Sequence, residues 1–321
     1  MLSTLGVVHV EPASSALPRW RELTTVSPAG FRRVAIAAVT MLVLIVATGA
    51  TVRLTGSGLG CPNWPTCTST HALPKGYHSD VEFSNRVVST VTVLATLALV
   101  VAAWLTRGLS LRAKVMATVV FLGTVGQAAL GALTVHYHLN PYLVISHLLL
   151  ALVALGLGVL VLVEADRAVE GGGEPLPLLA RVGGGALLAA VTVLVVSGTF
   201  STAAGRFPGS SGTQVVSRLW NFYSAVYWHV RAVAVFGVVF LLLAAWAWQR
   251  RERFPWLVRG CTVLLAILVA QMIVGEIQYR IYGTVPWGLV MVHVTLAAAL
   301  FAWTVGVVAR LWRPVRARGA N

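Results

Sequence analysis

The chain has 321 residues, 57% of them hydrophobic and only 11% charged, with a mean hydropathy of +0.82 and a formal net charge of +14. A soluble domain carries about a quarter charged residues, so this chain cannot clothe a globular surface. A soluble enzyme, a disordered chain and a nucleic-acid-binding protein are excluded. A polytopic membrane protein remains, and its basic excess must first be read as topology.

Residues 1–33 form an N-terminal tail. It lacks the layout of a cleavable signal, in which a basic stretch leads directly into an apolar core. A helix crossing the hydrocarbon core needs about 20 mostly apolar residues. Eight runs qualify: 34–54, 86–106, 113–134, 142–163, 178–198, 225–248, 257–278 and 289–310. There is no ten-residue alternation of the kind a transmembrane β-barrel needs. The expectation is an all-α integral membrane protein lying in lipid. Eight spans put both termini on one side. Most of the 24 basic residues then fall on that side, among them Arg32, Arg33, Arg112, Arg250, Arg310 and Arg313. The positive-inside rule places both termini in the cytoplasm.

The Gly/Glu-rich segment 168–177 reads as a cytoplasmic linker at the midpoint. It separates residues 34–167 from 178–311, and residues 312–321 form a C-terminal tail. The halves are related. GQAALGALTV (126–135) resembles AQMIVGEIQY (270–279), so Gln127 matches Gln271 and Gly131 matches Gly275, both 144 apart. The same offset carries Asn85 to His229, and His147 lies 146 before His293. Such a repeat predicts two pseudo-symmetric four-helix bundles side by side.

There are eight histidines. His9, His71, His78, His136 and His138 read as solvated tail or loop residues. His147, His229 and His293 each fall one to two turns inside a span, about 6–10 Å below the outer surface by helical rise. A polar group at that depth is costly and functional by default. One such histidine is as easily a core hydrogen-bonding residue; three at one depth point elsewhere. Imidazoles facing each other across a bundle hold heme iron. His229 and His293 can close a six-coordinate site. Zinc wants three or four clustered ligands, and this pair has no evident thiol or carboxylate companion.

The first half breaks the symmetry. Asn85 stands where the second half has His229, which leaves His147 as the strong ligand there. Glu82, three residues before Asn85, can share its helix face and point into the same pocket. A saturated site suits electron transfer or structure; an open site beside a carboxylate suits chemistry. Arg53, Arg86 and Arg231 lie near these positions. Pairing with heme propionates and snorkelling to lipid headgroups are both open to them. Cys61 and Cys67 lie in the first outer loop, on the oxidising side, where a disulfide suits them. It could be structural or a thiol relay. Cys261 reads as an apolar filler.

Five segments resemble the heme A synthase family: TGATVRLTGSGLGCPNWPTC (48–67), EFSNR (82–86), GALTVHYHLNPYLVISHLLLAL (131–152), YWHVR (227–231) and VPWGLVMVHVTLAAA (285–299). The resemblance spans nearly the whole chain. It implies eight helices in two pseudo-symmetric halves and oxidation of the C8 methyl of heme O to the formyl group of heme A through a hydroxylated intermediate. It implies that His229 and His293 ligate a resident heme b, that His147 sits at the substrate heme with Asn85 and Arg86 in its pocket, that Glu82 is the essential glutamate, and that Cys61 and Cys67 are the loop cysteine pair. Heme O synthase and cytochrome c oxidase assembly are the implied partners, and a bacterial cell membrane the implied location; a homo-oligomer is compatible with it. Asn85 departs from the family's usual histidine and looks like an actinobacterial variant. Two rivals stand beside this reading. One is a non-catalytic di-heme electron-transfer protein. The other is a transporter built on the repeat.

Overall fold

The computed structural model describes residues 25–64, 66–68, 74–211, 216 and 218–316. Most of the N-terminal tail, His9, His71 and the end of the C-terminal tail lie outside the described residues. Eight long apolar helices run through the rest: α1 Pro28–Leu54, α2 Tyr77–Leu105, α3 Leu111–His136, α4 Pro141–Glu170, α5 Leu178–Ala204, α6 Phe222–Gln249, α7 Pro255–Arg280 and α8 Trp287–Trp312. Among the described residues there is no β-sheet, only isolated bridges. The protein is a multi-pass, all-α membrane protein.

Each helix is 26 to 30 residues long, or about 39–45 Å at 1.5 Å per residue. The hydrocarbon core takes about 30 Å. The apolar runs predicted from sequence are therefore the middles of longer helices, and α4 continues through Glu170 into the expected linker. The starts are encoded locally. Ser27, Ser110, Asn140 and Asn221 cap α1, α3, α4 and α6 by accepting from backbone N–H groups in the first turn. Pro28 and Pro141 follow two of these caps, where no N–H is needed. Each such cap is worth about 1 kcal/mol.

The helices pack as two groups. In the first, α1 lies against α2 and α4, and α3 closes the ring against both. In the second, α5 lies against α6 and α8, and α7 packs on α8 but only thinly on α6. The groups meet where α8 contacts α1 and α4, and where α5 contacts α4. Leu155, Leu187, Phe236, Leu264 and Leu311 are fully buried in the shared core. On the outside, α6 presents Leu241, Leu242 and Val235 without cover, as a lipid-facing surface does.

Both ends of this arrangement are tied. At the end carrying the termini, Asp166 of α4 sits 2.7 Å from Arg32 of α1 and 2.7 Å from Arg310 of α8. Glu164 takes Arg313 at 2.9 Å. Arg310 and Arg313, read from sequence as topological charge, thus also join the two groups, and Arg32 ties α1 to α4 within the first. Beside them Gly173 N–H donates to Pro314 O and Arg316 N–H donates to Gly171 O, each at 3.0 Å. At the opposite end Gly58 N–H donates to Gly209 O at 2.7 Å. A Cβ at Gly58 would stand 2.8 Å from that oxygen, so a side chain there would break the contact.

Candidate functional site

His229 of α6 and His293 of α8 face each other across the second group, ring centres 6.4 Å apart and planes at 69°. Ser197 of α5 fixes the first ring. Its hydroxyl lies 2.8 Å from Leu194 O and 3.0 Å from His229 Nδ1. When the hydroxyl donates to Leu194 O it accepts from Nδ1–H, and Nε2 keeps its lone pair. Glycines let the rings come close: a Cβ at Gly198 would lie 3.2 Å from His229 Cε1, and one at Gly275 3.2 Å from His293 Cε1.

Both histidines line a cavity of about 1000 Å³ that lies among α5, α6, α7 and α8 and reaches α1 and α4. That is at the upper end for a cofactor pocket. Two imidazoles sharing one metal, with bonds of about 2 Å each, have ring centres roughly 6 Å apart. The spacing, the bare Nε2 and the apolar cavity fit a heme held between His229 and His293. Among the described residues no group of three or more His, Cys, Asp or Glu gathers as a zinc site would.

Arginines gather at the outer end of this cavity. Arg53, Arg206 and Arg231 line it. Arg53 arrives from α1, in the other group, and donates to Thr202 O at 3.1 Å; its Nε is buried without a hydrogen-bond partner. Arg231 lies over the Tyr227 ring, 3.2 Å from its centre. Arg206 is in the α5–α6 loop, and sequence reading did not single it out. It donates to Gly283 O, and its own carbonyl accepts from Arg218 at 2.7 Å. Burial pulls the Arg218 pKa down, and Tyr282 opposes that shift. Phe222, at the start of α6, stacks on Tyr282 of the α7–α8 loop at 3.9 Å, and both line the cavity.

The first group holds a different set at the matching places. Asn85 of α2 lines a smaller cavity of about 300 Å³ with Thr48, Thr51, Tyr77, Asp80, Val81, Ser84 and Val88. Thr48 donates to Asn85 Oδ1 at 2.7 Å. Thr48-Gly49 and Ser197-Gly198 are alike in sequence, and each hydroxyl holds the polar side chain opposite. With Oδ1 turned to Thr48, the other end of the Asn85 side chain is an amide nitrogen, which has donors but no lone pair for iron. His147 of α4 lies against Gly131 of α3, whose Cβ would be 3.5 Å from His147 Cε1. Its carbonyl accepts from Gln127 Nε2 at 2.9 Å. His147 is not among the residues lining either cavity.

Glu82 differs from the expectation that it points into the pocket beside Asn85. Its carboxylate is 5% exposed and turns to the α1–α2 loop. Oε2 accepts from Cys61 N–H at 2.8 Å, and Oε1 pairs with Arg86 at 2.5 Å. Arg86 also donates to Asn63 O at 2.7 Å and Thr66 O at 3.0 Å. Cys61 and Cys67 form a disulfide, and both are buried. Glu82 and Arg86 thus grip the disulfide loop from beneath. The i, i+4 spacing was visible in the sequence; the loop's return onto it was not. His78, expected in solvent, is in the first turn of α2 with Nδ1 3.0 Å from buried Ser57 Oγ. Cys261 is free and buried, in keeping with a filler.

The close glycines give a direct expectation. Gly275→Val crowds the His293 ring, since its Cβ alone would stand 3.2 Å from Cε1, and heme ligands tolerate displacement of only about 0.5 Å. Its reduced-minus-oxidised spectrum should lose most of any low-spin heme signal. Gly237→Val on α6, where a Cβ meets nothing within 4 Å, should keep it.

The family model described as Cytochrome oxidase assembly protein (COX15-CtaA) matches residues 32–80 and 77–305. A heme A synthase of Lysinibacillus sphaericus is 31% identical over 142 residues, 42% of this chain and 46% of that protein. One of Geobacillus kaustophilus is 31% identical over 111 residues, 32% of this chain and 33% of that protein. These two matches therefore span less than half of either relative. One of Listeria monocytogenes is 24% identical over 277 residues, 81% of this chain and 88% of that protein. With the family model covering nearly all of α1 to α8, the chain belongs to the cytochrome oxidase assembly protein (COX15-CtaA) family.

Proposed function

We propose that this protein is a heme A synthase, an oxidoreductase that converts the C8 methyl of heme O to a formyl group through a hydroxylated intermediate. The observation that carries the reading is the facing pair His229 and His293 over a large apolar cavity, set against a first group with His147 and with Asn85 in the place that His229 takes in the second. The similar proteins named heme A synthase support it.

In this reading His229 and His293 hold a resident heme b, and Arg53, Arg206 and Arg231 meet its propionates. When bound, that heme supplies one-electron transfer through saturated iron. The substrate, heme O, sits in the first group with its iron on His147. Asn85, held by Thr48, keeps the opposite face open. Glu82, paired with Arg86 beneath the disulfide loop, takes up protons released as the methyl is oxidised, while Asp80 is the acid that lines the Asn85 cavity itself. Arg86 holds that carboxylate and the disulfide loop in one position. Both termini lie in the cytoplasm of a bacterial cell, heme O synthase supplies the substrate, and the product goes to cytochrome c oxidase assembly.

Co-expression with a heme O source, followed by heme extraction and liquid chromatography, tests the reading. Heme A should appear. If only heme O is recovered while two low-spin hemes are bound per chain, the di-heme electron-transfer protein is the correct reading instead.

A further inference from the structure

The proposed iron ligands differ in what becomes of the second ring nitrogen. Ser197 serves His229, but His147 Nδ1 and His293 Nδ1 are buried without a hydrogen-bond partner. A ligating histidine almost always gives its other N–H to an acceptor, which fixes tautomer and ring angle. A bare N–H in an apolar interior has lost its water and gained no partner in return.

The helix that faces each of these rings carries an orphan acceptor. Gln127 Oε1 and Gln271 Oε1 are also buried without a partner. Gln127 cannot turn its amide round, because Nε2 already donates to His147 O, and a carbonyl only accepts. Gln127 precedes Gly131 by four residues, and Gln271 precedes Gly275 by four. Residues four apart share a helix face, about 5.4 Å along the axis. Gly131 is the glycine against the His147 ring. Gly275 is the one against His293, with a Cβ position 3.2 Å from Cε1 and 3.8 Å from Nδ1. So the same donor and acceptor pair, on neighbouring helices and within about one turn, recurs 144 to 146 residues along the chain. Gln271 is only 8% exposed and lines the large cavity.

We propose that Gln127 and Gln271 are positioning residues for the heme ligands. Each amide oxygen takes the Nδ1–H of its histidine, directly or through one water. That leaves the Nε2 lone pair of His147 and of His293 directed at iron. The inference rests on the heme reading above and adds the glutamines to it. Neither glutamine is needed to touch iron or substrate.

The second site offers the cleaner test, since its low-spin heme can be titrated without turnover. Redox titration would be done on purified full-length protein carrying its heme. Gln271→Leu removes the acceptor, so His293 donates less charge to oxidised iron and the midpoint potential rises. Gln271→Glu keeps an acceptor and strengthens it, so the potential falls below that of the unmodified protein. Loosening of the α7–α8 contact alone would move both variants the same way. Shifts of one sign, or no shift with heme retained, overturn the proposal. If Gln271→Leu does not hold heme, the Glu variant decides alone: a fall supports the proposal, and an unchanged or raised potential overturns it. Unmodified protein without a low-spin heme would instead sink the underlying heme site.

Discussion

His293→Ala, and separately His229→Ala, should abolish the low-spin heme b band in reduced-minus-oxidised spectra, with the eight helices still formed. The two rings are 6.4 Å apart and, among the described residues, are the only imidazoles lining the large cavity. Removing either leaves five-coordinate iron at best, which changes spin state. His147→Ala is the necessary contrast. It lies in the other group, so the band should persist while heme A is lost. Pyridine hemochrome stoichiometry adds the second readout, because heme per chain should fall in the first two variants. An unchanged low-spin band in both His293→Ala and His229→Ala would refute the ligand assignment.

The second large effect concerns Glu82. Glu82→Ala should keep the resident heme spectrum but lower heme A yield by about 10²-fold or more, the usual scale for losing a proton-transfer group. Heme O or its hydroxylated form should accumulate, as read by chromatography of extracted hemes. The structure adds a way to separate two roles. Glu82→Gln still offers an oxygen to Cys61 N–H but no charge to Arg86. If the carboxylate moves protons, Gln fails as badly as Ala. If it only anchors the loop, Gln retains most product. Cys61→Ser reports on the loop alone, since it removes the disulfide and leaves the acid in place. Normal heme A yield from Glu82→Ala would end the assignment.

Much of this was legible in the sequence because it is local. Apolar length gives the eight spans, Ser27, Ser110, Asn140 and Asn221 give starts, and helical depth picks out His147, His229 and His293. The cysteine pair could be read from its side of the membrane. What was hidden depends on residues far apart in the chain. Arg53 ends α1 yet reaches the cavity of the other group. Glu164 and Asp166 look like stray acids until Arg310 and Arg313 fold back on them, nearly 150 residues later. Glu82 shares a helix face with its neighbours, as its spacing requires, but only the return of the disulfide loop decides where its carboxylate turns.

The ties at the two ends of the molecule bear on a different question. Transporters built from repeats work by rocking one repeat against the other about a central site. Here such rocking would have to part Gly58 from Gly209 at one face, and Asp166 from Arg310 and Glu164 from Arg313 at the other. A hinge needs one end free, and this chain stitches both. The eight-helix bundle is thereby turned from a moving part into a frame. Any two redox centres it carries are held at one separation, and the tunnelling distance between them is set by the fold.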